Sequence, residues 1–127
     1  MGRIGLAVLL ALHGLVHLLG FVVPFRLAQI EGFPYSTSVF GGRVELGETG
    51  VRVGGVLWLL AAAAFVAAAV GLWLLQPWWW GLAFGVTVVS AVLCALWIPV
   101  SWAGLAIDAA LLVLLWLPAV RGLAQPS

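Results

Sequence analysis

The fold is decided by a charge-free stretch in the middle of the chain, residues 53–107, which reads VGGVLWLLAAAAFVAAAVGLWLLQPWWWGLAFGVTVVSAVLCALWIPVSWAGLAI. No Lys, Arg, Asp or Glu lies in this stretch, and none lies in residues 4–25. A helix that crosses a bilayer needs about 20 apolar residues, so the longer stretch holds two such helices. Of the 127 residues, 65% are hydrophobic and 7% are charged, whereas about a quarter are charged in soluble domains. The sequence therefore predicts an integral membrane protein.

Helix-breaking residues divide the apolar sequence into four predicted spans. Span one runs from about Ile4 to Val23 and is stopped by Pro24, because proline lacks the N–H that a helix needs. The other predicted spans are 52–75, 79–98 (ending at Pro99) and 102–119. The short connections make spans two, three and four antiparallel neighbours. We expect an all-α, integral membrane four-helix bundle, a single domain over 1–127 with one longer loop, 25–51, between helices 1 and 2.

Span one is predicted to stay in the protein as a helix. It is too long for the apolar core of a typical signal peptide, and GFVVPF (residues 20–25) lacks the small-x-small pattern of a cleavage site.

The long connection carries most of the charged side chains. It holds Arg26 and Arg43, with Arg52 at its edge, three glutamates (Glu31, Glu45, Glu48) and five glycines (Gly32, Gly41, Gly42, Gly47, Gly50). The segment YSTSVFGGRVEL (residues 35–46) fits a short hairpin turning at Gly41-Gly42, or a re-entrant segment at the membrane surface. Loops often carry function, so we expect Tyr35, Arg43, Glu45 and Glu48 to cap a site beneath them, although the glutamates also suit solvated or arginine-paired positions.

Eight tryptophans fit the interfacial pattern of membrane proteins; a stacking platform for bases or sugars is the alternative. Trp97 and Trp102 fall near one predicted face, and the other face receives Trp73, Trp78, Trp79, Trp80 and Trp116. Both termini carry an arginine, Arg3 and Arg121, with no acidic residue nearby. This distribution and an even number of spans favour cytoplasmic termini. The expected location is the bacterial cytoplasmic (inner) membrane, as a multi-pass protein.

Few polar side chains interrupt the predicted spans, and each set falls on one helical face at 100° per residue. His17 lies about seven residues before the end of span one, roughly 10 Å deep. Asp108 lies about six residues into span four, roughly 9 Å deep. Polar groups in hydrocarbon usually face the bundle interior. We therefore expect one pocket that opens toward the long loop and contains His17, Asp108, His13, Ser90 and Cys94.

Several chemistries fit this pocket. Asp108 is either a structural carboxyl satisfied by a neighbouring helix, or a proton carrier or ligand anchor. His13 and His17 either pack and hydrogen-bond between helices, or bind a zinc-like ion with Asp108 as third ligand and water as fourth. Histidines four apart on one helix cannot ligate one haem from both sides, so haem would need a dimer. Proton transfer and hydrogen bonding of a small ligand stay open.

Several other classes are excluded by composition. A net charge of +1 provides no polyanion-binding surface, and nothing indicates a nucleic-acid partner. The chain has no lysine for a retinal Schiff base, and its two histidines are too few for a di-iron membrane hydroxylase or desaturase. The one cysteine, Cys94, excludes an internal disulfide and argues against dithiol chemistry. A small buried core residue is its simpler interpretation.

The general plan of the chain resembles DoxX-like small bacterial membrane proteins. The matching features are the His13-Gly14 step in span one, the longer first loop, and the glycine-bounded entry to span two, GVRVGGVLWLL (residues 50–60). The resemblance implies a four-helix membrane protein, sometimes an accessory to redox or thiol stress systems. The single cysteine of this chain does not fit a thiol role. LHGLVHLLGF (residues 12–21) also resembles the openings of uncharacterised four-span bacterial proteins.

Three functions follow from the pocket. The first is binding of a small ligand or a metal ion, with the protein acting as an accessory subunit. The second is a proton-coupled transporter or channel, which four short spans would form only as an oligomer. The third is a membrane-embedded enzyme acting on a lipid-like substrate through a His–Asp pair, although nothing marks a nucleophile. The expected partners are the lipid bilayer and a second copy or a larger membrane complex.

Overall fold

Helices account for most of the chain in the computed structural model, which describes residues 2–31, 34–98 and 100–123. Their bounds are α1 (Gly2–Val16), α2 (Leu19–Val22), α3 (Gly47–Trp73), α4 (Trp79–Leu96), α5 (Trp102–Trp116) and α6 (Pro118–Arg121). Two short strands, β1 (Ser38–Val39) and β2 (Val44–Glu45), precede α3. Helix α1 packs against α3, α3 against α4, and α4 against α5.

Three helical segments are long and apolar enough to cross a bilayer. They are Gly2–Val22, which joins α1 and α2 (mean hydropathy 2.1), Gly47–Trp73 (2.3) and Trp79–Leu96 (1.9). The apolar helix α5 has 15 residues, a length of about 22 Å, whereas the hydrocarbon core is about 30 Å thick. The three long segments indicate a membrane-embedded protein.

The first predicted span is not one continuous helix. Helix α1 ends at Val16 and α2 begins at Leu19. At the junction the N–H of His17 donates to the carbonyl of Gly14 at 3.0 Å, three residues back. The carbonyl of His13, which an α-helix would offer to that N–H, instead accepts a hydrogen bond from Nδ1 of the His17 ring at 2.7 Å. The first predicted span is therefore present as Gly2–Val22, with a local break in its α-helical hydrogen bonding where the His17 side chain takes over a backbone acceptor.

Two further helix ends differ from the predicted ones. Helix α3 begins at Gly47, five residues before the predicted start, with Glu48 in its first turn, where a negative charge suits the helix dipole. Helix α5 ends at Trp116, because Pro118 disfavours helical backbone in the preceding residue and Leu117 is extended (ψ 132°). The predicted end of span three at Pro99, Gly32 of the loop and the last tail residues, 124–127, lie outside the described residues.

The predicted hairpin is present, turning at Gly41-Gly42. Strands β1 and β2 are antiparallel, with Ser38 opposite Glu45 and Val39 opposite Val44. Gly41 and Gly42 adopt positive φ angles of 64° and 91°, which glycine tolerates without a steric cost. The N–H of Phe40 donates to the carbonyl of Leu96 at 2.8 Å, so a free carbonyl at the C-terminal end of α4 fixes the hairpin to that end of the helices.

The tryptophans divide between the surface and the core. Four of them, Trp73, Trp78, Trp102 and Trp116, are exposed, as interfacial anchors would be. Trp79 and Trp97, which were predicted to lie at the membrane faces, instead pack inside the protein with 1% and 8% exposure, and Trp58 is also buried. An aromatic ring near a helix end can fill space between helices, so the interfacial interpretation was too broad.

Candidate functional site

Three helices bring ionisable and hydroxyl side chains together in the protein interior. His13 comes from α1, His17 from the junction between α1 and α2, Ser90 from α4 and Asp108 from α5. Nε2 of His13 lies 2.7 Å from Oδ1 of Asp108, and both side chains are buried. Of the two histidines, His13 therefore contacts the carboxyl group directly, although the predicted depth of His17 matched that of Asp108 better.

Ser90 connects the second histidine to the same carboxyl group. Its Oγ lies 2.6 Å from Oδ2 of Asp108 and 2.6 Å from Nε2 of His17. The other ring nitrogen of His17 donates to the His13 carbonyl, so both nitrogens of His17 are hydrogen-bonded. We call His13, His17, Ser90 and Asp108 the polar network.

Helix α3 covers the polar network with aromatic rings. The Phe65 ring lies 4.9 Å from that of His13 and 5.1 Å from that of His17. The Trp58 ring lies 5.0 Å from that of His17. These apolar rings exclude water from one side of the polar network, which strengthens its hydrogen bonds and makes any unpaired polar group there costly.

The hydrogen bonds restrict the number of protons that the polar network holds. Its four contacts each need one proton. With zero net charge the four side chains hold four exchangeable protons: one from each histidine, one from Ser90 and one that neutralises Asp108. One fewer would leave a contact without a proton, and one more would leave a net positive charge in an apolar interior, which is costly. The geometry therefore fits a net charge of zero.

Two arrangements of these four protons satisfy every contact. In one, Ser90 donates to the Asp108 carboxylate and a doubly protonated His17 donates to Ser90. In the other, a neutral Asp108 donates to Ser90, and Ser90 donates to His17. Shifting two protons along Asp108, Ser90 and His17 converts one into the other without changing the net charge. The polar network can thus relay a proton over these three residues.

The predicted metal ligands lie close enough together to be considered as a site. One ligand atom from each of His13, His17 and Asp108 lies within 4.8 Å of the others. However, Nε2 of both histidines and both carboxylate oxygens are already in short hydrogen bonds. A metal ion would have to break several of these bonds, so the arrangement fits hydrogen bonding better than metal ligation.

A cleft between α1 and α5 reaches the polar network from the outer surface of the helices. Its volume is about 310 Å³. Leu12, Val16 and Ile107 on its walls are exposed on the outside of the protein. The lining consists of Leu9, Leu12, His13, Val16, His17, Leu19, Gly20, Trp58, Cys94, Val100, Ser101, Ala103, Gly104 and Ile107. The α1–α5 cleft is therefore an apolar slot with two histidines at its inner end.

The remaining polar side chains of the predicted spans serve the backbone. Thr87 donates to the Ala83 carbonyl, one helical turn earlier, at 2.6 Å. Ser101 donates to the Cys94 carbonyl at the start of α5. Cys94 is buried and lines the cleft, and a Cβ on Gly104 would lie 2.9 Å from its sulfur. The Ser101–Cys94 hydrogen bond and the close approach of Gly104 to Cys94 bring the start of α5 next to α4.

The predicted capping residues of the loop lie on the surface instead of in the cleft. Arg26 donates to the Tyr35 hydroxyl at 3.0 Å and to Glu48 at 3.2 Å, and Arg52 donates to Glu48 at 3.4 Å. Arg43 and Glu45 lie in the hairpin, where Glu45 accepts from the N–H of Gly47 at 2.9 Å. None of Tyr35, Arg43, Glu45 and Glu48 lines the α1–α5 cleft. Exposed ion pairs of this kind contribute little to stability.

Sequence reasoning missed the contribution of α3, which carries no polar side chain within its apolar part. Trp58 and Phe65 are seven residues apart and therefore lie on one face of a helix, which was a usable signal. The structure adds one fact that the sequence does not contain: among the described residues, the indole N–H of Trp58 is the one buried side-chain nitrogen or oxygen without a hydrogen-bond partner.

Comparisons with known protein families, with characterised proteins and with solved structures found no match for this chain. The resemblance to DoxX-like proteins therefore stays a prediction, and the case for a function rests on the polar network and the cleft.

Proposed function

We propose that the protein is a four-span membrane protein that takes a small, uncharged amphiphilic molecule from the bilayer into the α1–α5 cleft. In this arrangement α5 is the fourth span, and the exposed cleft walls face lipid. The observation that carries the proposal is the meeting of an apolar cleft of about 310 Å³ with two histidines of the polar network. Ligand sites are typically apolar cavities with a few placed polar groups.

The charge balance of the polar network supports an uncharged head group. The polar network satisfies its own contacts at zero net charge, so it has no charge to offset that of a ligand, and a buried unpaired charge is costly.

A photolabelling experiment tests the proposal. The protein is reconstituted in nanodiscs of uncharged phospholipid and irradiated with a long-chain alcohol that carries a diazirine in its alkyl tail. We expect labels on cleft residues such as Leu12 and Ile107, and loss of these labels when the unlabelled alcohol is in excess. Labels spread over all exposed helix faces, with no competition, would overturn the proposal.

The chain offers a matched pair of variants for this experiment. Ala103 lines the cleft, whereas Ala106 is exposed on the same helix outside it. Ala103→Trp should fill the cleft and remove the competable labels, while Ala106→Trp should leave them in place. Equal labelling in the two variants would contradict binding in the cleft.

Proton transfer is a second candidate, favoured by the two proton arrangements of the polar network. A transporter or channel would use the relay along Asp108, Ser90 and His17 to carry protons. Proton flux into proteoliposomes that stops in Asp108→Asn would support this function. Absence of flux in the unmodified protein would leave ligand binding as the function.

A further inference from the structure

The ring nitrogen of His13 that does not face Asp108 is the chemically distinctive atom of the cleft. Nδ1 of His13 takes part in none of the hydrogen bonds among the described residues. Unlike the Trp58 N–H, it is not a fully buried atom without a partner. The atom therefore keeps some accessible surface, and the cleft is the open space that the His13 side chain lines.

The proton count decides whether this nitrogen donates or accepts. At zero net charge all four exchangeable protons of the polar network lie in its four contacts, and none is left for Nδ1 of His13. This nitrogen is then a bare lone pair, an acceptor whose partner must be a donor. The tautomer is fixed by Asp108, because the other ring nitrogen must give its proton to the carboxyl group.

We infer that the occupant of the cleft carries a hydroxyl head group, as a phenol or an alcohol with an apolar tail, and that its O–H donates to Nδ1 of His13. This inference rests on the proposed function, since it names the class of molecule that the cleft takes. A ketone, an ester or an ether offers acceptors alone and would leave the His13 lone pair unpaired.

Nitrogen NMR of the histidine rings tests the state of this atom directly. The chain has only His13 and His17, so protein with ¹⁵N-labelled imidazole rings gives four ring signals. His17 should show hydrogen bonds at both nitrogens. One nitrogen of His13 should resonate as an unprotonated, non-bonded imidazole nitrogen in the absence of ligand. A protonated nitrogen at that position would overturn the inference.

A matched pair of probes tests the ligand class. 4-Nonylphenol and 4-nonylanisole share ring and tail and differ in an O–H against an O–CH₃. The phenol should compete with the diazirine probe about tenfold more strongly than the anisole, the effect of one lost hydrogen bond in a buried site, and it alone should shift the His13 Nδ1 signal. Equal competition without a shift would overturn the hydroxyl assignment and leave the proposed function standing. Competition by neither probe, together with no competable labelling, would overturn both.

Discussion

Ser90 occupies the position on which the polar network depends, although it is the least ionisable of the four side chains. Its hydroxyl donates one hydrogen bond and accepts another, and its two partners, a carboxyl oxygen and an imidazole nitrogen, each lie 2.6 Å away. Without this hydroxyl, Asp108 and His17 would each have an unpaired buried atom. A serine on α4 thus joins His17, at the junction of α1 and α2, to the carboxyl of α5. The polar network stabilises the protein when all its members are satisfied together.

The same hydrogen-bond pattern makes a distinctive prediction for two substitutions of Asp108. Asparagine can accept from His13 through Oδ1 and donate to Ser90 through Nδ2, which reproduces the contacts of a neutral Asp108. We expect Asp108→Asn to change the free energy of unfolding by no more than about 1 kcal/mol. Asp108→Leu should cost about 2–4 kcal/mol, because it leaves the buried N–H of His13 without an acceptor and the Ser90 hydroxyl with one partner instead of two.

These stabilities can be measured by reversible unfolding in mixed detergent micelles, followed by tryptophan fluorescence. Ala109→Leu is the control, since Ala109 is exposed on the same helix and its replacement touches none of the four contacts. If asparagine destabilised the protein as much as leucine does, the carboxyl would be required in its charged form, and the arrangement with a neutral Asp108 would be excluded.

At the scale of the helices, the apolar pattern predicted where the long helices lie. It missed the break at His17, which a single side chain causes. The long charge-free runs and the prolines placed α3, α4 and the start of α5, because burial in lipid requires long apolar helices. The hairpin at Gly41-Gly42 was also readable, since positive φ angles favour glycine. The break at His17 was not, because it depends on a ring nitrogen reaching the carbonyl four residues earlier. Hydropathy contains no information about that contact.

The candidate site was predictable to the same degree. Equal depth and shared helix faces predicted that His17, Ser90 and Asp108 lie close together, and in the structure Ser90 contacts both of the others. Depth alone could not show that His13 reaches Asp108 directly, nor that the loop charges pair with one another on the surface. Those outcomes depend on helix rotation and side-chain reach, which sequence spacing does not determine.

The close approach of α1 to α3 gives a prediction about helix packing. A Cβ added at Gly14 would lie 2.7 Å from Cβ of Phe65 and 3.0 Å from the Ala62 carbonyl. We expect Gly14→Ala to destabilise the protein by about 1–3 kcal/mol, the usual cost of overpacking. In Gly5→Ala, on the same helix with nothing within 4 Å, the added methyl should stabilise by about 0.5–1 kcal/mol.

Unfolding in mixed micelles measures both glycine variants under identical conditions. The two substitutions should change the free energy of unfolding in opposite directions, which a general preference of helices for alanine would not produce. A stabilising Gly14→Ala would show that α1 and α3 are not held at the distance described.

At the scale of the whole molecule, the two ends of the helices have different chemistry. One end carries the hairpin and the paired charges of Arg26, Glu48 and Arg52. At the other, Trp80 donates to the Leu115 carbonyl at 2.6 Å. Arg121 lies 4.9 Å from the Trp80 ring and 5.2 Å from the Trp116 ring. Tryptophan and arginine together are typical of a helix end at the membrane interface. The cluster of Trp80, Trp116 and Arg121 therefore fits an α5 that ends at a membrane interface, although this helix is only about 22 Å long.

The difference between the two ends of the helices predicts the membrane topology. The hairpin is fixed to the C-terminal end of α4 by the Phe40–Leu96 hydrogen bond, so α5 begins on the hairpin side. If α5 crosses, Gly122 lies on the same side as Gly2 and opposite Gly42. Single cysteines at these three positions, on a Cys94→Ser background, are treated with a membrane-impermeant maleimide. In intact cells we expect labelling of Gly42→Cys alone, with Gly2→Cys and Gly122→Cys reacting only after permeabilisation, as the terminal arginines favour. Labelling of Gly122→Cys together with Gly42→Cys would mean that α5 returns without crossing, and the α1–α5 cleft would then not open to the bilayer across its full depth.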